Sequence, residues 1–372
     1  MQNSALAKLL AALTVLIVVL GIALHFLNPS PPDNFSASIS IAPTNHSASP
    51  QFVFHPHKAP VTEEQPEHPE ADNAGQSKIP REKVEEWLAK HNRNAMSLLA
   101  AFRALDDTNY LNEAATNFPD NPQVELAVLA HDEFPQDRRK WLDLFKASSP
   151  SNSLANYLSA QDDLKNGNSD AAIQELLAAS GKSQFDSFET ESRLDAEDLY
   201  SSSGKSQLES STDSLSDISK DMLPELAAFK RLAHGMDDLQ QQYLNSGDAN
   251  SAANLAQMGM SLVNQINSGD SGKYLINQLV GIADENIVLS KLDPNTSCDF
   301  LNGKTPSQVL QELKDQKASF RELIGNFSAA YPLMTPDEMT SYAERMKIYG
   351  EVPAMQWLVQ QHPPNPSQNG QQ

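Results

Sequence analysis

A histidine adjoins two carboxylates in the run His131-Asp132-Glu133, which is a residue set capable of general acid and base chemistry. Such groups must reach the same substrate atoms. Consecutive residues of a helix point in different directions, so these side chains cannot converge. The same objection applies to the adjacent carboxylate pairs Glu85-Glu86, Asp162-Asp163 and Asp237-Asp238. We therefore predict a polar helix end at 131–133 and not a catalytic centre.

Other signatures of chemistry are missing from the sequence. It contains no G-x-G-x-x-G, G-x-x-x-x-G-K-[ST], G-x-S-x-G or H-E-x-x-H motif. The two histidines of His55-Pro56-His57 lack further ligands for a metal. Cys298 is the only cysteine, which excludes a disulfide within the chain, and we expect a buried, inert thiol. The sequence thus predicts no catalytic residues, no cofactor and no metal, and we expect that the protein is not an enzyme.

The charge of the chain argues against a nucleic-acid ligand. Lys and Arg number 27 against 48 Asp and Glu, which gives a net charge of -21. Such a surface repels phosphate backbones. The carboxylate excess also leaves one enzymatic alternative open. Glycosidases need two carboxyls that face each other across a cleft, and these can come from distant residues.

An apolar run near the amino terminus has the length of a membrane span. No residue from Leu9 to Leu24 is charged, and the run extended to Leu27 makes a helix of about 28 Å. Lys8 precedes it, and no Lys or Arg follows until Lys58, which predicts a cytoplasmic amino terminus. We predict a transmembrane anchor over 5–27 with the bulk of the chain outside the cytoplasm, in a bacterial periplasm. Whether the anchor is cleaved stays open.

Composition predicts three segments without a folded core. Residues 28–79 are rich in Pro and Ser and form a predicted disordered linker. Residues 362–372 form a predicted disordered tail. Ser, Gly, Asp and Lys dominate 201–220, which we predict to be a mobile low-complexity loop. A change of Ser210 to Arg should then have almost no effect.

From Pro80 onward, apolar residues recur at helical spacing, which indicates an all-α fold in two blocks, 80–200 and 221–361. Thr305 and Thr335 each precede a proline and have Gln or Glu three residues on, as in a capping box. Gly350 fits a helix stop. Pro224 is expected to begin a long helix. Whether the blocks are separate domains or one superhelix stays open.

Two segments read as helical hairpins. Ser153 to Ala179 bends at Asn166-Gly167-Asn168-Ser169, and Ala233 to Val263 bends at Ser246-Gly247-Asp248. Ala172 and Ala252 each fall five residues after the turn glycine, where closely crossing helices need small side chains. This pattern resembles a degenerate tetratricopeptide repeat (TPR) array, clearest from about Asn94 to Ala179. The resemblance implies stacked antiparallel helix hairpins in a TPR-like solenoid.

In similar proteins the first helix of each pair lines a groove that binds peptides. The resemblance therefore assigns a partner-binding groove to Tyr157, Gln161, Lys165, Asp237, Gln241 and Asn245. The predicted function is a membrane-anchored extracytoplasmic scaffold for protein or peptide partners. An exported hydrolase acting on cell-wall or polysaccharide material and a structural stalk are the alternatives.

Overall fold

The computed structural model describes residues 79–364. The predicted anchor at 5–27, the linker up to residue 78 and the tail from residue 365 lie outside the described residues. Among the described helices, none is both long enough and apolar enough to span a membrane.

The described chain is built from α-helices joined by short connections. They are α1 Arg81–Lys90, α2 Ala95–Leu105, α3 Thr108–Asn117, α4 Pro122–His131, α5 Arg138–Ser148, α6 Leu154–Lys165, α7 Ser169–Ser180, α8 Glu189–Ser202, α9 Gln207–Asn245, α10 Ala249–Ile266, α11 Leu275–Leu289, α12 Pro306–Ala330, α13 Pro336–Tyr349 and α14 Glu351–Gln361. Short 3₁₀ turns lie at Pro135–Asp137, Ser271–Lys273, Asp299–Leu301 and Tyr331–Leu333. No strand forms between residues 79 and 364, where a single isolated bridge joins Asn152 and Gln184. The all-α prediction is confirmed.

The helix boundaries predicted at Thr305, Thr335 and Gly350 are confirmed. Thr305 and Thr335 cap α12 and α13 in complete capping boxes with Gln308 and Glu338. Gly350 ends α13 with φ 93°, a left-handed backbone angle that favours glycine. A side chain at this position would also approach the carbonyl oxygen of Lys273 to 2.8 Å.

Both predicted hairpins form. The first consists of α6 and α7, and the second consists of α10 and the carboxy-terminal part of α9. Ala160 and Ala172 of the first hairpin and Ala252 of the second are completely buried, so the helices approach closely at small residues. The stacked helices are compatible with a helical repeat architecture.

The predicted loop at 201–220 is wrong, because α9 begins at Gln207 and continues for 39 residues. Ser206 and Glu209 form a capping box at its start. The serines that suggested a loop lie against α8, where Ser210 and Ser214 are buried. Serine is small enough for two helices to approach closely, and its hydroxyl can bond to its own helix, as Ser214 Oγ does to the carbonyl of Ser211 at 3.0 Å. Tertiary packing thus overrides the composition.

One further prediction about this region needs correction, and one question that the sequence left open has an answer. Pro224 does not begin the helix; it lies within α9. A proline there lacks a backbone N–H, so one hydrogen bond of the helix is missing. The two predicted blocks are also joined, since α9 crosses the boundary and packs against α2, α4, α6, α8, α10, α11 and α13. A single continuous core extends from Ile79 to Leu358.

Candidate functional site

The predicted groove of the first hairpin does not form. Tyr157 is completely buried, Gln161 is 8% exposed, and only Lys165 at the end of α6 is open to solvent. The ring of Tyr157 lies 6.5 Å from that of Phe185 in the segment between α7 and α8, and α6 packs against α9. These two residues therefore belong to the core and cannot contact a partner. The prediction is therefore wrong for Tyr157 and Gln161.

The second predicted set lies near the surface of α9. Asp237 is partly buried, with Lys291 Nζ at 3.8 Å. Gln241 donates a hydrogen bond to Asn245 at 3.0 Å, and Asn245 is exposed. Gln241 and Asn245 thus lie at a solvated helix end, whereas one carboxyl oxygen of Asp237 is buried without a hydrogen-bond partner among the described residues.

A small acidic cavity lies where α2, α4, α8 and α9 meet. Its volume is about 30 Å³. The walls are partly apolar, with Leu126, Ala127, Ile218 and Met222 among the lining residues. Polar groups complete the lining: Arg103, Gln123, Ser187, Glu189, Ser192, Asp221 and Glu225. The cavity is thus the place where the described chain gathers ionisable side chains that are distant in sequence.

Asp221 is the acid of this cavity that pairs with basic side chains. It accepts hydrogen bonds from Arg103 Nε and lies 3.0 Å from His131 Nε2. Burial opposes its ionisation, but Arg103 and His131 outweigh burial and lower the pKa of the Asp221 carboxyl. His131 therefore faces α9, and the polar helix end predicted at 131–133 carries an interhelical contact.

Glu189, the first residue of α8, is a second buried acid. Ser271 Oγ donates a hydrogen bond to its carboxylate at 2.9 Å. Burial raises the pKa of Glu189, and hydrogen bonds from Ser187, Ser271 and Asn277 offset part of that rise. Glu189 therefore has donors that can stabilise its ionised form.

Glu225 is the third buried acid of this cavity, and its carboxyl has no comparable hydrogen-bond donors. It is 9% exposed and lines the cavity, and no hydrogen bond to its carboxyl occurs among the described residues. Burial and the nearby carboxylates of Glu189 and Asp221 raise its pKa well above the ordinary value. The side-chain oxygen of Gln123, also in the cavity lining, is buried without a hydrogen-bond partner in the same part of the chain. Two acceptors thus lack donors in one cavity.

The size of the cavity limits its chemistry. A space of about 30 Å³ holds one or two water molecules, whereas pockets for drug-sized ligands occupy roughly 300–1,000 Å³. Within residues 79–364, no group of three or more His, Cys, Asp or Glu side chains is arranged to hold a metal ion. A sugar ring does not fit, but a single small polar group does.

Exposed apolar side chains mark a second feature, on the surface of α8 and α13. Leu194, Ile348 and Tyr349 are 53%, 60% and 59% exposed. The ion pair between Lys347 Nζ and Glu197 Oε2, at 2.9 Å, brings their two helices together. We call these three apolar residues the α8–α13 surface.

Acidic side chains flank the α8–α13 surface. Glu191 and Asp198 lie about one turn on either side of Leu194, and both are exposed. Glu344 is exposed one turn before Ile348. The surface thus combines apolar contact area with negative charge, the complement of a segment that carries apolar and basic side chains.

Sequence reasoning did not find either feature. Glu189, Asp221 and Glu225 have no motif spacing, and tertiary packing alone brings them to one cavity. The pairing of His131 with Asp221 spans 90 residues. Leu194 and Ile348 occupy helix positions that periodicity does not separate from core positions. The one signal in the sequence for these features was the large number of acidic residues in α8.

Comparisons with known proteins give no match. No protein-family model matches this chain, and neither a curated protein nor a solved structure does so. The functional argument therefore depends on the geometry of the described residues.

Proposed function

We propose that the protein is an interaction scaffold and that its α8–α13 surface binds a partner segment with apolar and basic side chains. The observation that supports this proposal is the exposure of Leu194, Ile348 and Tyr349, each of which lies within three residues of the ion pair between Glu197 and Lys347. Large apolar side chains gathered on a surface favour protein contacts, and aromatic residues contribute strongly to binding energy.

Charge supports the choice of partner. The chain carries a net charge of -21, and Glu191, Asp198 and Glu344 flank the surface. Negative charge at the rim speeds association with a basic partner and disfavours an acidic one. An amphipathic helix with basic residues beside its apolar face has the required chemistry.

The location of the scaffold is part of the proposal. The apolar run at 5–27 would anchor the chain in a membrane with its amino terminus in the cytoplasm, and the described helices would lie in the periplasm. The support is the length of the run and the placement of Lys8. External protease that leaves the helical part intact in spheroplasts, but degrades it after lysis, would contradict this location.

The docking surface is tested with a triple variant of the full chain, Leu194→Ser, Ile348→Ser and Tyr349→Ser. Leu177→Ser is the matched control, because Leu177 is 54% exposed on α7, away from this surface. Partners are captured with each chain, and the bound segment is mapped by cross-linking. We expect the triple variant alone to lose a partner whose bound segment is basic and apolar. Equal capture by all three chains would contradict the proposal.

A hydrolase acting on polysaccharide is the second candidate. The observation in its favour is that Glu189 and Glu225 line one cavity and differ in hydrogen bonding. Different surroundings of two carboxyls can set the roles of acid and base. The volume of about 30 Å³ opposes it, because a sugar ring needs far more space. Unchanged turnover of a polysaccharide by Glu225→Gln would remove this candidate.

A further inference from the structure

The acidic cavity contains hydrogen-bond acceptors that have no donor. Glu225 is only 9% exposed, and its carboxyl has no hydrogen bond within the described chain. The buried side-chain oxygen of Gln123 lacks a donor as well. Buried polar groups without partners cost free energy, so a ligand that donates to both would be stabilised.

The lining restricts the chemistry of that ligand. Arg103 is already engaged with Asp221, so the remaining acceptors belong to a locally acidic region. Leu126, Ala127 and Met222 form an apolar wall beside them. An acidic end with an apolar wall suits a cation on an alkyl chain.

We propose that this cavity binds a primary ammonium group, with Glu225 and Gln123 as its acceptors and the first methylene group of the attached chain against the apolar wall. An ammonium group has three donors and no acceptor. It is also small enough for a cavity of about 30 Å³. The amine can belong to a free alkylamine or to a lysine side chain, and the experiment separates these sources.

Binding should release a proton. The surroundings of Glu225 favour its neutral form, whereas a bound ammonium favours the carboxylate. The charged and titratable groups around it are Arg103 on α2, His131 on α4, Asp186 before α8, Glu189 on α8 and Asp221 on α9. Where the raised pKa keeps Glu225 protonated, binding replaces the O–H bond of its carboxyl with an ion pair and transfers one proton to solvent. Affinity should therefore rise with pH while the amine stays protonated.

Calorimetry of the full chain with n-butylammonium tests the site, and n-butanol provides a neutral probe of similar shape. We expect saturable, millimolar binding of butylammonium with proton release, detected as heats that change with the ionisation enthalpy of the buffer. Butanol should bind at least about tenfold more weakly. Equal binding of both probes, or no saturable binding of butylammonium, would overturn the proposal.

Variants assign the binding to this cavity. Glu225→Gln should weaken butylammonium binding at least about tenfold and abolish proton release. Glu86→Gln, a change at an exposed acid of α1, should leave both unchanged. Gln123→Ala keeps every carboxyl and should weaken binding less, which gives a second test if Glu225→Gln does not fold. Unchanged binding in both cavity variants would refute the site.

A final comparison of ligands shows whether the bound amine belongs to a protein or to a free amine. A peptide with one lysine is compared with its acetyl-lysine form and with spermidine. Tighter binding of the lysine peptide identifies a protein ligand, and tighter binding of spermidine identifies a free amine; either result supports the ammonium site. Equal binding of the lysine and acetyl-lysine peptides, together with no binding of spermidine, would contradict it.

Discussion

Lys347 Nζ donates a hydrogen bond to Glu197 Oε2 at 2.9 Å and so joins two helices whose residues lie 150 positions apart. Glu197 also accepts from Arg193 Nη1 at 3.0 Å. All three side chains are largely buried, with exposures of 22%, 16% and 10%. This ion network holds α13 beside α8 and so shapes the α8–α13 surface.

Glu197→Ala should destabilise the fold because it leaves Lys347 and Arg193 without their shared acceptor. We expect a loss of about 1–3 kcal/mol in the free energy of unfolding, measured by urea titration. The exposed pair Lys83–Glu86 serves as the control, since Glu86→Ala should leave the free energy of unfolding almost unchanged. Equal effects of the two changes would refute a structural role for the network.

Ser210→Arg should disrupt the packing of α9 on α8. Ser210 is 1% exposed and accepts a hydrogen bond from Ser201 Oγ at 3.2 Å, so a long charged side chain has no space. We expect a loss of about 3 kcal/mol or more, measured by chemical unfolding. Ser202→Arg, at an exposed position of α8, should change stability by about 0.5 kcal/mol at most. A silent Ser210→Arg would show that 201–220 is a loop after all.

Gly350→Ala should destabilise the junction between α13 and α14. Its φ of 93° disfavours a side chain, and a Cβ atom would lie 2.8 Å from the carbonyl oxygen of Lys273. We expect a loss of about 2 kcal/mol in thermal or urea unfolding. Gly325→Ala is the matched control in α12, where nothing lies within 4 Å, and it should stabilise the helix by about 0.5–1 kcal/mol. A loss in both variants would contradict this distinction.

Asp284 should make stability depend on pH. It is completely buried in α11, and its carboxylate oxygens have no hydrogen-bond partner in the described helices. Burial raises its pKa from 3.8 to about 8, so the folded protein favours the protonated acid more than the unfolded chain does. Its contribution to stability is complete below pH 3.8 and is lost as the pH rises through 8.

Asp284→Asn removes this titration. The variant should be more stable than the parent at pH 8 by a few kcal/mol, at about 1.4 kcal/mol per pKa unit, and similar to it below pH 4. Urea unfolding across this range measures the difference. Glu86→Gln, at an exposed site, should leave the pH profile unchanged. A constant difference between Asp284→Asn and the parent at every pH would contradict the assignment.

Helix boundaries were predictable where the signal is local. Thr305, Thr335 and Gly350 act on their own helix ends, so their types and spacing suffice. Ala172 and Ala252 were predictable as core residues because each lies five residues after the turn glycine of its hairpin. The class of fold followed from the same helical spacing.

The failures have a common physical cause. At 201–220, the composition favours a loop, but α8 covers Ser210 and Ser214, and that contact comes from tertiary packing. Tyr157 fails as a groove residue because it is completely buried and its ring lies near that of Phe185, a contact across 28 residues that helical spacing does not predict. Cys298 is partly exposed in a loop and not buried as expected. The acidic cavity depends on four helices and has no sequence spacing of its own.

The α8–α13 surface is tested most directly by photo-cross-linking from single positions of the full chain in its native cells. A photoreactive residue at Ile348 should yield one dominant protein adduct, attached through a segment with basic and apolar residues. The same residue at Leu177, which is equally exposed on α7, should not yield that adduct. Identical adducts from both positions, or none from Ile348, would contradict a docking role for this surface.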